Sequence, residues 1–416
     1  MTKRIGIDQL RPGMRIETMD RSWLETPFLR HRMAVTSPQQ IEQLRACGVR
    51  TLEVTLDDDA REPDLSDEPA EGVRNHLSER PEGRYAQMVP DPQPDPAPSI
   101  PFDEELPAAK QVYKAAKSII EAAMHDVRMG LAINMEAVNR VVSGMADSVL
   151  RNPDALTSLS RLKRFDEYTF FHSVNTSVLA LSLGRTLGLD GGALHQLGVG
   201  TLLHDIGKTK IPLEILNKPG RLEPDEFELM KQHVMRGAEV LSAMTGLADP
   251  YLKPALEHHE RVDGSGYPFQ RRRAELSQYG LIAAVVDIYD AITSERCYHK
   301  AKPAHEALHF LYVISQKGHL DHALVQRFIQ VVGVYPVGSV VELNTGEIAV
   351  VRCLHHEAPL EPTVILVKGR GDTLLSQPEE VDLRCQTDRP HRAIAAVKDP
   401  LTTGVDPSLY LDKEPL

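Results

Sequence analysis

Leu194–Leu203, LHQLGVGTLL, leads straight into His204-Asp205-Ile206-Gly207-Lys208-Thr209-Lys210-Ile211-Pro212. The apolar run reads as a buried helix, and it ends on an imidazole beside a carboxylate. Gly207 is expected to end that helix and to let the backbone approach a ligand. A neutral imidazole offers one nitrogen and a carboxylate offers two oxygens, which can bridge two divalent cations. Lys208 adds a positive charge near the helix end, suited to a phosphate oxygen. Taken alone, a His-Asp pair reads better as a cap or a buried hydrogen bond, so the weight falls on what the rest of the chain supplies.

Further along stands His258-His259-Glu260, followed by Asp263-Gly264-Ser265-Gly266-Tyr267-Pro268. Adjacent helical residues point roughly 100° apart, so both imidazoles serve one cavity only if they address neighbouring atoms or sit where the helix frays. A pair of metal ions ~3.5–4 Å apart provides such neighbours. The glycines and Pro268 then make a compact loop that could close over the site. The plainer reading is a solvated helix end, and by itself this pair would be read so. Three more candidates lie on separate helical segments: His172 in FFHS, His233 in KQHV, and Asp287 in Ala283–Ile292. Asp287 and Asp290 share a helical face in an apolar run and need partners there. Asp287 reads as a metal ligand. Asp290 reads equally as a group orienting a ligand or as an ordinary helix hydrogen bond.

The whole chain has 416 residues, 42% apolar and 25% charged, the balance of a globular protein of two or three domains. Its 47 basic and 59 acidic residues leave a net charge of −12, which argues against a nucleic-acid polymer as partner. Any anionic substrate must be drawn in locally by metal or basic side chains. The four cysteines (Cys47, Cys297, Cys353, Cys385) are far apart and form no CxxC pair, so a reducing, cytoplasmic setting is expected. Neither a secretory leader nor a membrane span is read from the sequence; Asn175, Ser177, Ser182 and Arg185 interrupt the most apolar stretch.

Short β-like runs (Arg4–Ile7, Met14–Glu17, Thr51–Thr55) around a helix at Ser37–Cys47 make a small α+β module over residues 1–57. Residues 58–106 are an acidic linker with six prolines between Pro90 and Pro101. Apolar residues at three and four spacing continue through residues 107–333, an all-helical domain. Val340–Leu343, Ile348–Cys353 and Thr363–Lys368 form a small β appendage over residues 334–385, and residues 386–416 read as a loose tail. The fold class is mainly α. Trp23 with Phe28 reads as small-domain core, and Arg271-Arg272-Arg273 as a solvated turn rather than a substrate-steering patch.

The ordered set His172, His204-Asp205, His233, His258-His259 and Asp287, with Gly266-Tyr267-Pro268 after the double histidine, resembles the HD-GYP family of HD-superfamily phosphohydrolases. The resemblance covers about Leu156–Arg327 and includes LLHDIGKTKIP, MKQHVMRGAEVL, LEHHERVDGSGYP and VVDIYDAITSERCYHKA. The N-terminal segment, with LRPGM and DRSWLETPF, is similar to an uncharacterised module often found ahead of such domains. The resemblance implies that His172, His204, Asp205 and Asp287 hold one metal and that His233, His258 and His259 hold a second, Asp205 being shared. It places Lys208 and Arg296 on the substrate phosphates and Tyr267 in the loop beside them, with Asp205 and Lys208 in the chemistry; Lys300 is read as a further substrate contact outside the pattern. Tyr168 stands where three-metal members carry a glutamate, so two ions are expected, iron or manganese first, with nickel, cobalt and zinc compatible. His299 stands where a second basic group would be sought.

The implied substrate is cyclic di-GMP, opened to pGpG and onward to GMP by a water activated between two metals. Signalling proteins are further candidate partners. Alternatives are an HD phosphohydrolase of another nucleotide, a silent module that binds cyclic di-GMP or a protein, and a di-iron oxygenase.

Overall fold

The computed structural model describes residues 2–11, 14–19, 33–35, 41–42, 44–45, 49–56, 99–160, 168–218, 220, 222–244, 249–294, 302–355, 358–386 and 391–411. Two compact units divide the chain, residues 1–75 and 76–416. In the first, β1 (Thr2–Gly6), β2 (Met14–Met19), β3 (Met33–Ala34) and β4 (Thr51–Leu56) form one antiparallel sheet in the order β1-β4-β2-β3. Alternating Ile16, Leu52 and Val54 turn to one face and pack with Leu44 and Val49. Of the helix expected at Ser37–Cys47, Ile41, Glu42, Leu44 and Arg45 are described and helical. Trp23, Phe28 and most of the linker lie outside the described residues.

The second unit is helical up to Val332. Its helices are α1 (Phe102–Arg128), α2 (Met135–Arg151), α3 (Pro153–Leu159), α4 (Tyr168–Thr186), α5 (Gly191–Leu202), α6 (Leu213–Leu216), α7 (Pro224–Lys231), α8 (His233–Ser242), α9 (Asp249–Glu257), α10 (Gln278–Thr293), α11 (Ala304–Gln316) and α12 (His322–Val332). Among the described residues no helix is long and apolar enough to cross a membrane.

Helix α4 is buried on every side from His172 to Arg185, the mark of a helix enclosed by others. Its Val174, Val178 and Leu181 join the core built with α1, α2 and α5, while Leu179, Ala180 and Leu183 join the core built with α10, α11 and α12. The metal-site candidates hang on this central helix and its neighbours. Helix α1 begins at Phe102, ahead of the linker end read from the sequence, because Pro101 caps it and Asp103, Glu104 and Glu105 suit its N-terminal dipole. Pro107 is tolerated close to that end. Buried Glu105 accepts from Ser148 Oγ (2.7 Å) and Arg151 Nε (2.7 Å), which fastens α1 to α2.

The β appendage continues with β5 (Val340–Leu343), β6 (Ile348–Cys353), β7 (Thr363–Lys368), β8 (Leu374–Asp382) and β9 (Ile394–Lys398), antiparallel in the order β8-β7-β6-β5-β9. The first three match the expected runs because both of their faces are largely covered, which leaves long apolar stretches in the sequence. The expected loose tail is corrected. Ile394–Lys398 pairs with β5, Val405 is buried, and Lys368 Nζ donates to Thr403 O at 2.6 Å. Prolines and exposed residues hid this, since the segment contributes one short edge strand.

Candidate metal centre

Five elements bring the predicted residues together. Helix α4 carries His172, the turn after α5 carries His204 and Asp205, and α8 opens on His233. The turn after α9 carries His258 and His259, and α10 carries Asp287 and Asp290. Helix α9 ends at Glu257, so the double histidine sits where the helix has stopped, and both rings reach one pocket. His172, His204, Asp205, His233, His258, Asp287 and Asp290 are all buried.

Gly207 corrects the sequence reading. Helix α5 has already ended at Leu202, and a 3-10 segment, Ile206–Lys210, follows. A Cβ on Gly207 would lie 1.9 Å from His233 O and 2.4 Å from Gly237 N. The backbone that Gly207 approaches is therefore that of α8 rather than a ligand, and this contact sets Asp205 against His233.

Asp205 turns its two oxygens in different directions. Oδ2 lies 3.6 Å from His172 Nε2 and 3.5 Å from His204 Nε2, while Oδ1 lies 3.5 Å from His233 Nε2 and 3.8 Å from His258 Nε2. Asp287 Oδ1 completes the first group, 3.1 Å from His172 Nε2 and 3.8 Å from His204 Nε2. His259 joins the second, where ligand-type atoms of His233, His258 and His259 all lie within 4.8 Å of one another. The same closeness holds for His172, His204 and Asp287.

Hydrogen bonds on the far side of the rings fix which nitrogen is free. His204 Nδ1 lies 2.6 Å from Thr201 O, His233 Nδ1 2.7 Å from Met230 O, and His258 Nδ1 2.8 Å from Pro254 O. A carbonyl only accepts, so each Nδ1 carries the proton and each Nε2 presents a lone pair inward. The Nε2 atoms of His233 and His258 are 3.3 Å apart, a repulsive meeting of lone pairs that a cation relieves. His204 Nε2 and Asp205 Oδ1 are buried without a hydrogen-bond partner among the described residues. Those orphaned atoms, with a nitrogen and oxygen donor set, fit divalent metal ions.

Electrostatics point the same way. Burial pushes the His233 imidazole down to about 4 and the His258 imidazole down to about 3, so both are neutral at neutral pH, the form that can bind a metal ion. Burial opposes ionisation of Asp205, but Lys208, His204, His233 and His172 override it and hold the carboxyl well below its ordinary value. Burial also works against a charged His172, and Asp287 with Asp290 outweighs it, so this imidazole is raised. The pocket thus favours positive charge at that point.

Lys208 Nζ lies 2.5 Å from Asp205 Oδ2 at the solvent side. Tyr267 stacks on His259, ring centroids 4.6 Å apart, and its N–H donates to His259 O at 3.2 Å. Arg296, His299 and Lys300 lie outside the described residues, as does the side chain of Tyr168. Two residues were quoted in the sequence without a role. Buried Glu260 accepts from the backbone N–H of Phe269 (2.6 Å) and of Arg271 (3.1 Å), strapping the Tyr267-Pro268 loop to the double histidine. Buried Glu257 accepts from Ser277 N, Ser277 Oγ and Arg271 Nη1. Arg271 and Arg273 are held by Glu257 and Asp321, so two arginines of the triplet serve as struts. Acidic residues beside a turn whose amides need acceptors were the signal.

Three family models match the chain: a domain of unknown function over residues 2–138, an HD domain over 145–324, and a KOW domain associated with HD domain over 340–394. Cyclic di-GMP phosphodiesterase PA4108 of Pseudomonas aeruginosa is 36% identical over 94% of this chain and 91% of its own length. A cyclic di-GMP phosphodiesterase of Thermotoga maritima is 38% identical over 39% of this chain and 45% of that one. The 3′3′-cGAMP-specific phosphodiesterase 1 of Vibrio cholerae is 33% identical over 37% of this chain and 36% of that one. With matches of this extent around a pocket of imidazoles and carboxylates, the chain belongs to the HD-GYP family of HD-domain proteins, in which its full-length relative is a cyclic di-GMP phosphodiesterase.

Proposed function

We propose that this chain is a metal-dependent phosphodiesterase that hydrolyses cyclic di-GMP to linear pGpG, with GMP as the product of a second cut. One observation carries the reading: Asp205 presents a separate oxygen to each of two ligand groups. His172, His204 and Asp287 would hold one divalent transition-metal ion, and His233, His258 and His259 a second, with Asp205 common to both. Iron or manganese suits the mixed nitrogen and oxygen donors; nickel, cobalt and zinc are compatible. When bound, the ions would supply Lewis acidity toward phosphate oxygens and lower the pKa of a water.

The chain's own groups do the rest. Asp205 fixes the spacing of the two ligand groups. Lys208, about a fifth exposed, can turn its ammonium from Asp205 to a phosphate oxygen arriving from solvent, which supplies local attraction in a chain of net charge −12. Tyr267 walls the pocket over His259. Burial and Asp287 push its phenol far up, so it stays neutral and does not repel a phosphate. Arg296 is assigned to the substrate phosphates from the family pattern, Lys300 to the substrate as the basic residue beyond His299, and Asp290 to orientation of His172. A cytoplasmic setting, the reading suggested by four widely spaced cysteines with no CxxC pair, completes the proposal.

A second substrate reading, another cyclic dinucleotide, is favoured by the similarity to a 3′3′-cGAMP-specific phosphodiesterase. The test is anaerobic incubation of the metal-loaded protein with each dinucleotide, followed by product chromatography. Conversion of cyclic di-GMP that stops in His204→Ala and Asp205→Asn is expected. Tight binding without product would replace the enzyme by a binding module, and preferential cleavage of 3′3′-cGAMP would move it to the second reading.

A further inference from the structure

A line of buried hydrogen bonds leaves the candidate centre and ends on a helix outside the residues matched to the HD domain. His172 Nδ1 donates to Asp290 Oδ2 at 2.8 Å, and Ser294 Oγ donates to the same oxygen at 3.1 Å. Asp290 Oδ1 accepts from Asn175 Nδ2 at 3.1 Å, and Asn175 Oδ1 accepts from the Tyr113 hydroxyl at 2.6 Å. Tyr113, Asn175, Asp290 and His172 are each 4% exposed or less. Tyr113 lies in the middle of α1, within the stretch matched by the upstream domain of unknown function.

The chemistry gives this chain one direction. An ionised carboxylate only accepts, so the amide of Asn175 must turn its NH₂ to Asp290 and its carbonyl to Tyr113. Burial, reinforced by Asp290, pushes the Tyr113 phenol far up, so its proton is always present to be donated. A buried carboxylate is tolerated only where donors surround it. Here the donors are His172 and Asn175 of α4 and Ser294 just past α10, with Tyr113 of α1 fixing Asn175 in turn, and they hold His172 in the tautomer with Nε2 facing the pocket. Helix α1 is fixed at its other points as well. Glu105 is tied to Ser148 and Arg151 near the start, and Val127 O accepts from Lys210 Nζ at 2.8 Å near the end, just beyond the His204-Asp205 segment.

We propose that Tyr113 is a positioning residue for the metal ligand His172, acting through Asn175 and Asp290, and that α1 is thereby a working part of the metal centre. The inference rests on the reading of His172 as a ligand. The full-length protein loaded with Mn²⁺ is challenged with a chelator, and metal content, the electron paramagnetic resonance signal and the melting midpoint of the metal-free protein are recorded. Tyr113→Phe, which removes one oxygen and keeps the shape, is expected to weaken retention of one of the two ions about threefold to tenfold. Asn175→Leu, which withdraws a donor from Asp290 itself, is expected to weaken it about tenfold to 100-fold. In both, a one-ion Mn²⁺ signal grows in at chelator levels where wild type keeps its pair, with the metal-free midpoint little changed in Tyr113→Phe.

His172→Ala serves as the control that separates the two claims. Loss of an ion in His172→Ala together with wild-type retention in Tyr113→Phe overturns the relay and leaves the metal reading standing. Unchanged metal content in His172→Ala overturns both. Loss of both ions in step with a lowered metal-free midpoint in Tyr113→Phe overturns the relay by making Tyr113 a packing residue only.

Discussion

His233 and His258 are aimed by their own chain: each donates its Nδ1 proton to a carbonyl three or four residues earlier. His172, across Asp205 from them, is aimed by Asp290, 118 residues further along. The two ligand groups also differ in charge. One is made of imidazoles alone, whereas the other contains Asp287 and is reinforced by Asp290. Local aim would make the all-imidazole group robust to disturbance elsewhere in the fold, and charge would make the group with Asp287 the stronger cation holder. The contrast can be broken experimentally, and the shared element is the place to begin.

Asp205→Asn removes the carboxylate that comes within 3.6 Å of both groups, where Asp287 reaches the imidazole group only at 4.0 Å, from Oδ2 to His259 Nδ1. Turnover of cyclic di-GMP is expected to fall by more than about 10³-fold, as when groups acting as a unit lose a member. Metal content is expected to drop for both ions. A variant that keeps substantial turnover would show that the two groups work independently.

His258→Ala and His172→Ala sharpen the contrast further. Each is expected to leave about one ion of two by elemental analysis, and the ion kept by His172→Ala is expected to be the more easily stripped, because the all-imidazole group offers less negative charge. Strong retention by that group alone would reverse the ranking drawn here.

Outside the ligands, Glu260→Gln puts an amide where two backbone N–H groups need acceptors, at a cost of about 1–3 kcal/mol. A rise in KM of about tenfold with unchanged metal content is the expected outcome of loosening the Tyr267 loop. A loss of metal instead would assign Glu260 to the centre itself.

Arg273→Ala gives the smallest effect. Its pair with Asp321 is more than half exposed on the arginine side, so stability is expected to change by less than about 1 kcal/mol and activity hardly at all. A large loss of activity would return the arginine triplet to the substrate.

The candidate ligands were legible chiefly through the family resemblance: read alone, His204-Asp205 passes for a cap and His258-His259 for a solvated helix end, and Asp287 and Asp290 stand out as acidic groups in an apolar run that need partners. The sequence also disclosed β5 to β7, whose covered faces demand unbroken apolar runs. What it hid depends on contacts between distant segments. Gly207 looked like a helix stop for a ligand, yet its neighbour is the backbone of α8. Glu260 looked like a charged helix end until two loop amides were seen to converge on it. Tyr113 carries no pattern of its own, since one hydroxyl on the apolar face of α1 reads as core. The strand Ile394–Lys398 is short, lies at an edge and is surrounded by prolines, so no periodicity marked it.

The central claim is that Asp205 joins two cation sites. Anomalous scattering recorded at the manganese edge from crystals of the Mn²⁺-loaded protein tests it most directly. Two peaks ~3.5–4 Å apart, one beside His172, His204 and Asp287 and the other beside His233, His258 and His259, are predicted. A single peak, or peaks away from Asp205, would contradict it.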